Sequence, residues 1–236
     1  MKLFDFDSPL MRGLGKVADL LMLNMLVLFC CIPIVTVGAS LTALHYMALK
    51  MARNEECYIA RGFFKSFKQN FKQATLIWLL MLFVIVVLVV DFLIMGNSGI
   101  EFSGVIRVII TVFAVMAFFT FMYVFPMLAK FENTILRTVQ NAFLTSILQF
   151  PKTVLMVIIY MLPLVVLVFF PQIVPLAFFF GLSVPAFLSA KLYSKFFKKL
   201  EDQIQPKPEP AEEEGEDERI FRDELDESLL GGDNTN

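Results

Sequence analysis

Residues 153–190 read TVLMVIIYMLPLVVLVFFPQIVPLAFFFGLSVPAFLSA, a run of 38 positions without one Asp, Glu, Lys or Arg. A helix needs about 20 mostly apolar residues to cross roughly 30 Å of hydrocarbon. This run therefore holds two crossings, and Pro171 with Gln172 divides it into spans near 153–170 and 173–190. Three other charge-free runs lie upstream, Leu20–Leu49, Ala74–Val90 and Val108–Ala129. The last two suit one crossing each, near 74–95 and 105–129.

The run from Leu20 to Leu49 is 30 residues long, about 45 Å as a single helix and longer than the bilayer core requires. Pro33 sits near its middle, where it removes a backbone donor and clashes with the preceding turn. The run reads as two helices, near 14–32 and 37–52, with Thr36 capping the second. A single kinked span is the alternative. The expected fold class is thus all-α: a polytopic transmembrane bundle of five to six spans over residues 1–200, with amphipathic cytoplasmic loop helices and a disordered acidic tail over 201–236.

Composition agrees with lipid as the solvent. Of 236 residues 58% are hydrophobic and 18% charged, against roughly 45–50% and about 25% in soluble domains. The charges are segregated. Residues 1–200 carry 17 Lys/Arg against 8 Asp/Glu, whereas 201–236 carry 3 against 14, so a basic body and an acidic tail combine into the net −2.

Orientation follows from Lys and Arg in short loops. Loop 50–73 carries Lys50, Arg53, Arg61, Lys65, Lys68 and Lys72, loop 130–152 carries Lys130, Arg137 and Lys152, and the start of the tail carries Lys191, Lys195, Lys198 and Lys199. These face the cytoplasm, while loop 96–107, with only Arg107, and the turn at Pro171 face outward. Lys2, Arg12 and Lys16 also prefer the inside, so six spans with both termini cytoplasmic satisfy every loop. No small-x-small cleavage site follows the N-terminal basic stretch, and the segment reads as retained.

Within loop 50–73, Ala60, Phe64, Phe67 and Phe71 share a helical face, and Arg61, Lys65, Lys68 and Lys72 flank it one residue over. Such a helix can lie in the interface as a lipid-facing basic helix, its aromatics in acyl chains and its lysines towards anionic headgroups. Packing against neighbouring spans is the other reading. Leu136, Val139, Phe143, Ile147 and Phe150 form a similar stripe in the second loop. A shift of 79 residues aligns Phe71 with Phe150 and Leu76 with Leu155, so the pattern of span, basic loop and span occurs twice, as a weak same-direction repeat. Past Gln205 a Pro- and Glu-rich linker leads to a short amphipathic segment at 219–230, with Phe221, Leu225 and Leu229 spaced four apart.

Groups that carry enzyme chemistry are few. One histidine, His45, rules out paired-histidine metal motifs, and neither a phosphate-binding G-x-x-x-x-G-K-[ST] loop nor a G-x-S-x-G elbow occurs. Three cysteines provide no disulfide framework. Cys30 and Cys31 lie in an apolar run as small hydrophobes, and Cys57 is expected to be reduced in the cytoplasm. The expectation is no catalysis, cofactor or metal. Intramembrane polar groups remain. Asp91 and Arg107 bracket the outward loop as a candidate interfacial ion pair, and His45 sits near enough to Lys50 to snorkel to the inner face. Asn24, Pro33, Thr36, Gly38, Ser40 and Thr42 form the candidate motif of the broken first run. There, freed backbone must find partners, as in broken-helix transporter sites, or the small residues simply permit close packing.

Asn24, then Cys31-Ile-Pro33-Ile-Val-Thr36-Val-Gly38-Ala39-Ser40 and Thr42-Ala43-Leu44, then the Phe-rich basic stretch through Phe71-Lys72-Gln73, resemble the YesL-like family over roughly residues 1–200. Its members are small bacterial membrane proteins of unknown function, common in Firmicutes and often encoded beside carbohydrate uptake systems and sensor kinases. The resemblance implies a bacterial cell-membrane protein linked to sugar import or sensing, and it supplies no site residues. Two hypotheses follow. One is a non-enzymatic accessory or regulatory component, partnered by the bilayer and by a membrane transporter or sensor kinase. The other is a small transporter or channel, a homo-oligomer using the Pro33 break. Nothing suggests nucleic acid as a partner.

Overall fold

The computed structural model describes residues 9–55, 58–97 and 103–204, and within them every regular element is helical. Eight α-helices follow in order: α1 Pro9–Cys30, α2 Val37–Ala52, α3 Ile59–Asn97, α4 Gly104–Lys130, α5 Ile135–Leu148, α6 Phe150–Phe169, α7 Val174–Phe180 and α8 Ser183–Ile204. Single 3-10 turns, Ile34–Thr36 and Pro171–Ile173, lead into α2 and α7. Five helices are long and apolar enough to cross a membrane, or six if the bent pair α7–α8 is one span. The chain forms two compact units, residues 1–194 and 195–236. The acidic tail beyond Ile204, its 219–230 segment and Cys57 lie outside the described residues; residues 201–204 are the last turn of α8.

Small residues mark the closest approaches. The inward face of α2 opens with Gly38, Ala39, Ser40, Thr42 and Ala43 and continues with Leu44, Met47 and Leu49, and that of α5 is Thr138, Ala142, Thr145 and Ser146. Leu136, Phe143, Ile147 and Phe150, the apolar stripe that could lie in the interface or pack against spans, are exposed. The physical reason is the solvent. Lipid tails are as apolar as leucine, so large side chains gain little by turning inward, and small ones let helices approach for dispersion contacts and hydrogen bonds.

The basic stretch 61–72 and the span after it are one continuous helix, α3, of 39 residues, where the sequence suggested a loop helix followed by a separate span. No proline interrupts Ile59–Asn97, and each added residue of a running helix gains a backbone hydrogen bond without a new nucleation cost. At the equivalent place in the second half of the repeat Pro151 intervenes, and α5 and α6 are separate helices meeting at Gln149. α2 ends in a Schellman cap. Asn54, at φ 56°, takes the left-handed conformation that asparagine tolerates, its N–H donates to Met51 O, and the Glu55 N–H donates to Lys50 O at 3.0 Å.

α2 packs against the first half of α3. A Cβ on Gly38 would overlap the Ala74 carbonyl oxygen and come within 2.6 Å of Trp78 Cβ, and one on Gly62 would lie 2.7 Å from Met47 Sδ. The two helices are therefore antiparallel, with the start of α2 beside Ala74–Trp78. Beyond that level burial ends, although Thr111–Phe119 of α4 still face Ser146, Ile147 and Phe150. Among the described residues none of α3 after Ile77 is buried, and none of α4 before Thr120.

Candidate functional site

Three helix breaks define the interior, and each is closed by one polar side chain. At the first, the Thr36 hydroxyl lies 2.6 Å from Cys30 O, a carbonyl that the end of α1 leaves open, and 2.7 Å from Pro33 O, which also accepts the Thr36 N–H at 3.1 Å. Thr36 does occupy the N-cap position of α2, but its side chain makes no cap hydrogen bond. The expected capping role is thus replaced by a backward one, because α1 ends at Cys30 and leaves its last carbonyls without intrahelical donors. Ser40 donates to Thr36 O at 3.0 Å and Thr42 to Gly38 O at 2.9 Å. At the turn itself the Thr36, Ser40 and Thr42 hydroxyls are spent on nearby backbone carbonyls. Thr36→Val keeps the shape and removes the hydroxyl. The loss should be about 1–2 kcal/mol, seen as a lower midpoint of thermal aggregation in detergent.

At the second break, between α7 and α8, Asn24 enters from α1. An uninterrupted helix would join the Leu182 N–H to Phe178 O. Instead the Asn24 amide stands between them: its Nδ2 donates to Phe178 O at 2.8 Å, and its Oδ1 accepts from Leu182 N and Ser183 N, both at 3.0 Å. Asn24 is wholly buried. At the third break the Thr153 hydroxyl lies 2.9 Å from Ser146 O and 3.1 Å from Gln149 O.

His45 is the centre of a buried polar cluster. Its Nδ1 is 3.2 Å from the Tyr193 hydroxyl and its Nε2 is 3.4 Å from that of Tyr160, so one imidazole bridges α2, α6 and α8. A neutral ring has one N–H and one acceptor nitrogen; it donates to one tyrosine and accepts from the other. His45 is buried, which corrects the expectation that it snorkels beside Lys50. The sequence hides this because Tyr160 and Tyr193 lie more than 100 positions away. His45→Phe fills the space and leaves Tyr160 without this partner, for an expected loss of about 2–3 kcal/mol. Thermal midpoints of His45→Phe and the milder Tyr160→Phe in one detergent check the order.

The remaining predicted residues are dispersed. Among the described residues no ion pair joins Asp91 and Arg107, and Arg107 is exposed. Near a helix start it can extend to the headgroups, which costs less than holding a pair in place. On α3 the exposed basic residues Arg61, Lys65, Lys68 and Lys72 accompany exposed Phe64, while Phe67 and Phe71 are half-buried. The face turned to α2 is a neighbouring one, with Ile59, Phe63, Ser66 and Ala74 buried. Among the described residues no three His, Cys, Asp or Glu side chains gather. The polar interior is made of hydroxyls, an amide and one imidazole. An apolar groove of about 370 Å³ runs between α6 and α7–α8, bounded by Leu162, Pro163, Val166, Ala177, Gly181 and Pro185.

Comparison with known families places one segment. Residues 20–92 match the family described as "Protein of unknown function, DUF624". The matched stretch carries Asn24, Thr36, Gly38 and His45, the α2-facing half of α3 and most of its apolar half. No curated protein and no solved structure matches the chain.

Proposed function

We propose that this chain is a non-enzymatic accessory or regulatory protein of the bacterial cell membrane, a YesL-like component working beside a carbohydrate transporter or its sensor kinase. Both ends of the helical region lie in the cytoplasm, as the Lys/Arg bias of the loops requires. One observation carries the reading. The Pro33 break is closed, with Thr36, Ser40 and Thr42 bonded to backbone carbonyls and Gly38 against Ala74. A transport path needs polar groups turned to the solute, and this closure favours a protein that presents its surfaces to a partner over a small oligomeric transporter or channel. Affinity purification in mild detergent is expected to recover a transporter subunit or sensor kinase in fixed ratio. A chain recovered alone, or proteoliposomes whose solute flux disappears in Thr36→Val, would reverse the reading.

A further inference from the structure

We propose that the α1–α2 turn is a re-entrant tip, which enters the cytoplasmic leaflet and returns on the side it came from. The inference rests on the orientation given above and adds a lipid-binding surface to it.

The contacts of Gly38 with Ala74 and Trp78, and of Gly62 with Met47, lay α2 beside residues 59–78 of α3. That stretch exposes Arg61, Lys65, Lys68 and Lys72. Four cations over about 16 Å of helix cannot face hydrocarbon without a large cost, so this level belongs to the headgroups and the cytoplasm. Trp78, the one tryptophan of the chain, lies just beyond Lys72 among Phe121 and Phe125, as an aromatic belt does at a membrane boundary. Past it the 19 residues to Asn97 run about 28 Å, the thickness of a bilayer core, antiparallel to the first half of α4. Neither arm has a buried residue. These arms cross; α2, which starts at their base and runs away from them, does not run beside them.

The tip itself points to lipid. Phe29, Ile32, Ile34 and Val35 are 77%, 73%, 66% and 49% exposed at the level where the apolar arms begin. Irregular backbone facing lipid is not found within the hydrocarbon itself, so the turn lies at the interface: Thr36 closes the Cys30 carbonyl, the Cys31 N–H donates to Val27 O at 2.8 Å, and the groups left over meet headgroups while the apolar side chains reach the acyl chains. The occupant is the acyl region of the inner leaflet, with anionic headgroups beside the α3 cations.

The test uses the full chain with Cys30, Cys31 and Cys57 changed to Ser, carrying either Ile34→Cys or Ser103→Cys. A membrane-impermeant maleimide should label Ser103→Cys on intact cells and leave Ile34→Cys unlabelled there, unlabelled in opened membranes, and labelled only after detergent. A bimane on Ile34→Cys, in proteoliposomes with a nitroxide lipid in one leaflet, should be quenched from the leaflet opposite the side where Ser103→Cys is accessible. Labelling of Ile34→Cys on intact cells, or quenching from the Ser103 side, means that α1 and α2 both cross and overturns the proposal. Labelling in opened membranes puts the tip in cytoplasmic water and overturns it too. Ser103→Cys labelled only after opening would instead invert the orientation, and the proposal falls with it.

Discussion

Asn24→Ala should be the most damaging single polar substitution in the described helices. It removes one side chain and strands three buried backbone groups, Phe178 O and the N–H groups of Leu182 and Ser183. Each unsatisfied buried group costs about 1–3 kcal/mol. Allowing for relaxation of the break, the expected loss is about 3–5 kcal/mol, a large part of the stability of a typical domain. Asn24→Leu, which fills the volume, should be nearly as harmful, because the damage is to hydrogen bonding. Asn70, half-buried and bonded to Ser66 O four residues back on the same helix, is the control, and Asn70→Ala should cost under about 1 kcal/mol. Fluorescence-detected size exclusion after heating ranks the three. Equal midpoints for Asn24→Ala and Asn70→Ala would show that the α7–α8 break needs no partner.

The second large effect belongs to Gly38. Its missing Cβ is the space that Ala74 O and Trp78 Cβ occupy, and both atoms belong to rigid parts of α3. Gly38→Ala must separate two helix backbones by several tenths of an ångström along the most extensive helix pair, which overpacking places at about 1–3 kcal/mol. Gly38→Leu should abolish the monodisperse peak altogether. Gly15 and Gly96 make the opposite case. Nothing lies within 4 Å of a Cβ at either position, so Gly15→Ala and Gly96→Ala should be neutral or stabilising by up to about 1 kcal/mol, the helix-propensity gain of alanine over glycine. A Gly38→Ala protein as stable as Gly15→Ala would refute the close approach of α2 and α3.

Both predictions describe a polar economy set by lipid. Each break in the helical ladder is met by a short side chain that completes it: Thr36 for α1, Asn24 for α7–α8, Thr153 for α5–α6. The function proposed above draws on the closure at Pro33, where Thr36, Ser40 and Thr42 are bonded to backbone carbonyls and the surfaces are left to act with.

The sequence alone established the helical class, the places where charge is absent and the break at Pro33, because each depends on local chemistry: transfer of side chains into hydrocarbon and the missing N–H of proline. It also singled out Asn24, Thr36 and Gly38, since polar or very small residues in an apolar run need a reason. Only the tertiary structure could supply those reasons. Asn24 serves a helix some 154 residues away, and His45 meets tyrosines 115 and 148 positions distant. No periodicity encodes such pairings. The fold likewise decided which stripe of α5 faces inward, because in lipid large apolar side chains are content on either side and packing of small ones makes the choice. The length of α3 past α2 was hidden for a related reason: hydropathy measures how apolar a segment is, and depth is set by its neighbours.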